Sequence, residues 1–219
     1  KQQAIVGASE QNNILILAGP GSGKTRVIVH RCAWLLRVDR VRANGVVILC
    51  FNRFAALDIR RRLWALVGKD ASAVTIQTFH GLALRILGRT MADLEDNSHE
   101  GRLSFDELIP EANRMLRSEE VPIGMNADEF RDKLVGSLSH ILVDEYQDIG
   151  PDAYELVSLI AGKAKESDED RLSLMAVGDD DQSIYGFAGA NIEFIRRYET
   201  DYANTVGGGE NQTSFIEKH

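Results

Sequence analysis

The residues able to do chemistry fall in three short stretches. The first is Gly19-Pro20-Gly21-Ser22-Gly23-Lys24-Thr25, a glycine-rich turn ending in a lysine and a threonine, directly after the apolar run Ile14–Ala18. Glycines let a backbone curl around an anion so that successive N–H groups face a phosphate, and a helix starting there adds the positive end of its dipole. Lys24 supplies a mobile charge for the β- and γ-phosphate oxygens, and Thr25 a hydroxyl for Mg²⁺, which prefers oxygen ligands and shares them with nucleotide phosphates. The second stretch is Asp144-Glu145, closing the apolar run Ile141–Val143. Downstream of a phosphate loop, such a pair divides the work of hydrolysis: Asp144 binds the metal, and Glu145 positions and deprotonates the attacking water. The third, Gly178 to Gly186, carries Gln182, whose amide can donate to a γ-phosphate oxygen and accept from that water. Standing alone, this last segment fits an aspartate-rich helix-cap loop better.

These stretches need a scaffold that brings distant segments together. Strand-like apolar runs occur at Ile14–Ala18, Val46–Phe51, Val74–Gln77, Ile141–Val143 and Leu172–Val177, with helical patterns between them, the first at Val27–Leu36. Runs apolar on both faces and alternating with helices predict an α/β fold, a doubly wound and mostly parallel sheet that binds ligands at the carboxyl ends of its strands. The helix after the second strand has apolar positions Ala56, Ile59, Leu63 and Leu66, which leaves Arg60-Arg61-Arg62 on a polar, solvated face. Gly88–Gly101 breaks the alternation with a run of polar residues and reads as a linker or the stump of an insertion, and the tail from Val206 opens on three glycines and has little periodicity.

Composition narrows the class. A chain of 219 residues with a net charge of -8 can bury one substantial core, and it cannot hold nucleic acid by its overall field, so any such contact is local. Cys32 and Cys50 lie in apolar contexts without metal-ligand spacing, which fits a reducing compartment. No membrane span or signal peptide is evident, and the chain reads as soluble and cytoplasmic, at home in a bacterial cytosol or nucleoid.

Five blocks, in order, resemble the first motor domain of superfamily 1 DNA helicases of the UvrD/Rep/PcrA type: Ala18–Arg26, Ile48–Ala56, Thr78-Phe79-His80-Gly81, Asp144-Glu145-Tyr146-Gln147-Asp148 and Gly178–Ala190. The resemblance implies a RecA-like P-loop NTPase fold over residues 1–205, with 88–102 standing where the family carries a helical subdomain and 206–219 a flexible tail. By the same resemblance, ATP and Mg²⁺ are held by the loop Gly19, Pro20, Gly21, Ser22, Gly23, Lys24 and Thr25 together with Arg26, and Gln3 lies where the family reads adenine. Asp144 and Glu145 drive hydrolysis, and Gln182 couples the γ-phosphate to the grip on DNA. Single-stranded DNA, or the tail of a duplex, is contacted by Phe51, Asn52, Arg53, Thr78 and His80, and Phe187 stacks on a base; for Phe51 and Phe187 core packing is the competing reading.

The chain departs from the pattern in places. The family's lysine after the second strand is absent from Cys50-Phe51-Asn52-Arg53-Phe54-Ala55-Ala56, and the last block has Ala188 where an arginine is usual. The second RecA-like motor domain, which supplies transition-state arginines in the family, is expected to be missing. Such an arginine is worth ~10³-fold or more in rate. The chain alone is therefore expected to bind Mg-ATP and hydrolyse it poorly. The resemblance implies the motor of an ATP-dependent helicase that translocates 3′ to 5′ and works with repair or recombination proteins. The reading kept beside it is a non-catalytic, ATP-gated interaction module of a repair assembly.

Overall fold

The computed structural model describes residues 2–95, 103–117, 133, 135–162, 172–179 and 192–202. The five apolar runs form five strands: β1 (Ile14–Leu17), β2 (Val46–Cys50), β3 (Thr75–Thr78), β4 (His140–Val143) and β5 (Ser173–Gly178). They make one sheet in the order β1-β5-β4-β2-β3, and every neighbouring pair is parallel. Alternate side chains of a strand point to opposite faces. Here both faces are covered, with Leu49, Ile141 and Leu174 entering one core and Ile48, Leu142 and Met175 the other. That double burial is why the strands read as unbroken apolar runs.

Eight helices accompany the strands among the described residues: α1 (Gln2–Val6), α2 (Lys24–Arg37), α3 (Arg53–Val67), α4 (Phe79–Ile86), α5 (Met91–Glu95), α6 (Leu108–Leu116), α7 (Pro151–Ala161) and α8 (Ile192–Tyr202). Residues of α1, α2 and α3 pack on one face of the sheet, and those of α4, α6, α7 and α8 on the other. Neighbouring strands β2 and β4 thus send their helices α3 and α7 to opposite faces, the arrangement that opens a crevice at the carboxyl ends of the strands.

Local chemistry fixes where each strand turns into its helix. Gly21 and Gly23 have φ of 75° and 88°, a left-handed backbone that other residues seldom adopt, and α2 starts at Lys24 rather than three residues later as its periodicity suggests. The Asn52 carboxamide accepts from Ala55 N at 2.9 Å to start α3, and the Thr78 hydroxyl accepts from Gly81 N at 3.2 Å to start α4. Pro151 occupies the first turn of α7.

Two expectations from the sequence change. The buried stripe of α3 is Ala56, Ile59, Leu63 and Val67, whereas Leu66 is exposed, because stepping three residues on from Leu63 turns back toward solvent and stepping four stays on the core face. Within Gly88–Gly101 the chain forms α5, and the Thr90 hydroxyl donates to Asp93 Oδ2 at 2.8 Å across its first turn. Among the described residues no helix is long and apolar enough to cross a membrane.

Candidate functional site

The glycine loop leaves β1 and delivers Lys24 and Thr25 to the ends of β4 and β5. Lys24 Nζ lies 3.4 Å from Asp179 Oδ2 and 3.5 Å from Glu145 Oε2. The Thr25 hydroxyl donates to Asp144 Oδ2 at 3.3 Å. A hydroxyl and a carboxylate side by side at the mouth of a phosphate loop form an oxygen pair suited to Mg²⁺, which completes its shell with water and phosphate oxygens. Burial, followed by the neighbouring charge of Glu145, pushes the Asp144 carboxyl up to about 6, against the opposing pull of the Thr25 hydrogen bond and Lys24. A cation would relieve that penalty.

Glu145 sits at φ 50° and ψ 50°, left-handed for a residue with a side chain. Such positions carry strain and persist where the surroundings over-determine them. One determinant is Lys24; the other is Gln147, whose Nε2 donates to Glu145 Oε2 at 2.8 Å. The Gln147 carbonyl oxygen accepts from Asp179 N at 2.9 Å, joining the end of β4 to the end of β5. The sequence shows Gln147 and Asp179 only as members of acidic or polar strings. What singles them out is burial, 2% and 0% exposed, and nothing local in the sequence announces it.

The carboxyl ends of β2 and β3 open onto a second feature, a mostly apolar cleft of about 770 Å³. Phe51, Asn52, Arg53, Thr78 and His80 all line it. Phe51 is 60% exposed, so core packing does not account for it. Asn52 and Thr78 spend their side-chain oxygens on helix caps, which leaves their N–H₂ and O–H groups as donors. Phe105 also lines the cleft and is stacked on His80, ring centroids 4.0 Å apart and planes at 15°. The stretch Leu103–Leu108 resembles the segment where the family's chain re-enters the motor core, but nothing in it assigns Phe105 to the cleft; the Ser104–Glu107 capping box turns the chain beside His80. Burial lowers the pKa of His80, with Asp106 opposing, which disfavours the charged form of the ring.

The basic triplet is held by local partners, one carboxylate among them. Arg61 and Arg62 pair with Asp58, while Arg60 lines the cleft and donates to the Ile76 carbonyl of edge strand β3 at 2.7 Å. Gln3 is exposed, and it is the adjacent Gln2 whose amide reaches the phosphate loop, donating to the Ser22 carbonyl at 3.0 Å. Arg26 lies in the first turn of α2. Gln182, Phe187 and Ala188 fall outside the described residues. Both cysteines are buried and free, and burial pushes both thiols up to about 12, which leaves them unreactive.

A family model described as an AAA domain matches residues 1–188. The DNA helicase II of Salmonella typhimurium is 30% identical over 283 aligned positions, covering 98% of this chain and 38% of that protein. That of Escherichia coli is 29% identical over the same shares. The ATP-dependent DNA helicase PcrA of Staphylococcus aureus is 30% identical, covering 88% of this chain and 35% of its own length. The chain thus spans little more than a third of these curated relatives. The 283 aligned positions exceed the chain's 219 residues by 64, so the Salmonella protein carries at least that many positions without a counterpart here.

Proposed function

We propose, from the premise that the chain belongs to the AAA domain family and is an N-terminal motor domain of the UvrD/PcrA helicase type, that it is the ATP-binding motor of an ATP-dependent DNA helicase. The observation that carries this reading is the meeting of two sites on one sheet edge. The phosphate loop, Thr25, Asp144 and Glu145 converge at the ends of β1 and β4, and an aromatic cleft opens next to them at the ends of β2 and β3. Lys24 leaves its carboxylate partners for the nucleotide phosphates; Thr25 and Asp144 hold Mg²⁺; Glu145 takes the proton of the attacking water. Held there, a magnesium ion would supply charge neutralisation to the phosphates. Gln2 or Gln3 reads the adenine edge, and Arg26 and the loop N–H groups hold the phosphates.

In the cleft, Phe51 and His80 offer ring faces to bases while Arg53, Asn52 and Thr78 reach the backbone. Every base has a π face, so this grip is independent of sequence, as movement along a strand requires. Translocation from 3′ to 5′, duplex unwinding, work in repair, recombination or replication, partners in those assemblies, and a cytoplasmic location are parts of the same proposal. Full turnover draws on a second motor domain of the kind the family contains, so this chain alone binds Mg-ATP and turns it over slowly.

The test measures ATP hydrolysis with and without a poly-dT oligonucleotide, for this chain and for a version extended by a second motor domain. Stimulation by DNA in the extended protein supports the reading. Nucleotide binding without any DNA response would favour the ATP-gated module instead.

A further inference from the structure

Between the catalytic base and the cleft lies a single turn, Tyr146–Asp148, and one side chain in it touches everything around it. Gln147 is 2% exposed, and its carboxamide uses both its donor and its acceptor sides. One N–H donates to Glu145 Oε2 at 2.8 Å, and Nε2 also lies 3.4 Å from Asp148 Oδ2, on a residue that lines the cleft. The carbonyl oxygen accepts from Asp179 N at 2.9 Å, and Asp179 is in turn the buried partner of Lys24. The space it occupies is kept open from the other side. A β-carbon on Gly178 would stand 3.0 Å from Gln147 Oε1, so any larger residue at the end of β5 makes this carboxamide shift by a few tenths of an ångström.

We infer that Gln147 is a positioning residue that couples occupancy of the cleft to the aim of Glu145. This rests on the proposed use of the two sites by nucleotide and single-stranded DNA. The wall running from Asp148 to Ala153 faces the cleft, so a strand seated there displaces the Asp148 carboxylate relative to the turn. The carboxamide cannot follow Asp148 without changing its bond to Glu145, because both are held by the same nitrogen. Glu145 responds because its backbone is already in a left-handed conformation, held by Gln147 and Lys24. Once Lys24 turns to a phosphate, Gln147 still holds the Glu145 carboxylate, while Asp144 Oδ1 accepts from the Glu145 backbone N–H at 3.1 Å. A second path leads from the same oxygen through Asp179 to Lys24, so the state of the nucleotide is felt in the cleft by the same group.

Coupling between two sites is a ratio of affinities and is the same from either side. The experiment measures the dissociation constant of a fluorescent non-hydrolysable ATP analogue, with Mg²⁺, in the presence and absence of saturating dT oligonucleotide, on the full 219-residue chain. In the parent chain the oligonucleotide shifts that constant by roughly five-fold or more. In Gln147→Ala each ligand still binds alone, and the shift falls to less than about two-fold. Gln147→Glu keeps the shape but replaces a donor with an acceptor between two carboxylates, and it loses the coupling equally; a merely space-filling role would leave it intact. Gly178→Ala, which displaces the carboxamide without removing it, gives an intermediate shift and carries the test should Gln147→Ala fail to fold. Unchanged coupling in all three variants would overturn the inference, and so would absence of coupling in a parent chain that binds both ligands. Failure of the parent chain to bind nucleotide or oligonucleotide would instead overturn the proposed function on which it rests.

Discussion

At the amino ends of the strands, the Arg31 guanidinium donates to the carbonyls of Val6, Ala8 and Ser9 at 2.9, 2.5 and 2.8 Å, and the His140 ring is bonded on both nitrogens, to Ser139 and to the Glu10 carbonyl. At the carboxyl ends, Lys24 stands between two carboxylates at 3.4 and 3.5 Å, Glu145 is left-handed, and Phe51 and Phe105 are open to solvent. Both ends bury charge. One closes its polar groups onto fixed backbone partners; the other gives them to side chains that a ligand can displace. Buried polar groups stabilise a fold only when satisfied. A sheet that binds ligands at one end therefore needs its permanent bonds concentrated at the other.

The largest effect separating the ends is on rate. Glu145→Gln removes the proposed base while keeping the shape and the contact to Gln147, so the hydrolysis rate should fall by ~10²–10⁴-fold. Nucleotide affinity and melting temperature should stay close to those of the parent, because a half-exposed carboxylate beside Asp144 is removed rather than a core group. A large loss of stability would show that Glu145 is structural and would erase the contrast.

Arg31→Met is the matching change at the amino end. It keeps the packing of the stem and takes the donor from the Val6 and Ala8 carbonyls, each costing ~1–3 kcal/mol, while Ser9 O keeps its bond from Asn12 N at 3.2 Å, against the relief of a buried cation whose pKa burial already lowers. The net loss should be ~2–4 kcal/mol in urea denaturation, with the rate at saturating nucleotide little changed. A stable variant with a crippled rate would show that the two ends are not separable.

These two residues also mark what a sequence discloses. Gly19 to Thr25 and Asp144-Glu145 were legible because their chemistry depends on residue type at fixed spacing after an apolar run, and the five strands because double burial leaves an unbroken apolar signature. Arg31 was not legible, since a lone arginine in an amphipathic helix gives no hint that its partners are backbone carbonyls of a distant loop. Gln147 stood inside a recognisable string, yet its role depends on the amide of Asp179, 32 residues away, which only the pairing of β4 with β5 brings near. Phe105 follows a polar stretch that reads as a linker, and its stacking on His80 depends on the turn before α6.

Phe105 gives a smaller effect within the carboxyl end itself. Base stacking is worth ~1–3 kcal/mol per aromatic. Phe51→Ala and Phe105→Ala should each weaken binding of a dT oligonucleotide by ~5–150-fold, while stability changes by no more than ~0.5 kcal/mol for the exposed Phe51 and by ~0.5–1.5 kcal/mol for Phe105, which loses its stack on His80. Phe105→Trp should restore binding, and its fluorescence should be quenched as oligonucleotide is added. If Phe51→Ala weakens binding and Phe105→Ala does not, the cleft is gripped on one wall only.

The smallest effect is a difference of sign with pH, measured in the metal-free chain with chelator present. Burial and the Arg31 charge lower the pKa of His140, with the Glu10 carbonyl bond and the charges of Glu10 and Asp39 opposing. The folded form then binds fewer protons than the unfolded one, so this stability is present above the ordinary histidine value of ~6.5 and is lost as pH falls through the depressed folded value. Asp144 runs the other way. Its carboxyl is raised to about 6, so its contribution is fully present below the ordinary aspartate value and is lost as pH rises through about 6. Between pH 6.5 and 4 the two ends oppose each other, each with a slope of at most ~1.4 kcal/mol per pH unit. His140→Gln should therefore gain stability relative to the parent as the solution is acidified, and Asp144→Asn should lose it, in urea titrations at pH 7.5 and 5. Equal slopes in both variants would mean that neither end stores its charge as the geometry indicates, because a satisfied imidazole and an under-solvated carboxylate must respond to the same protons in opposite directions.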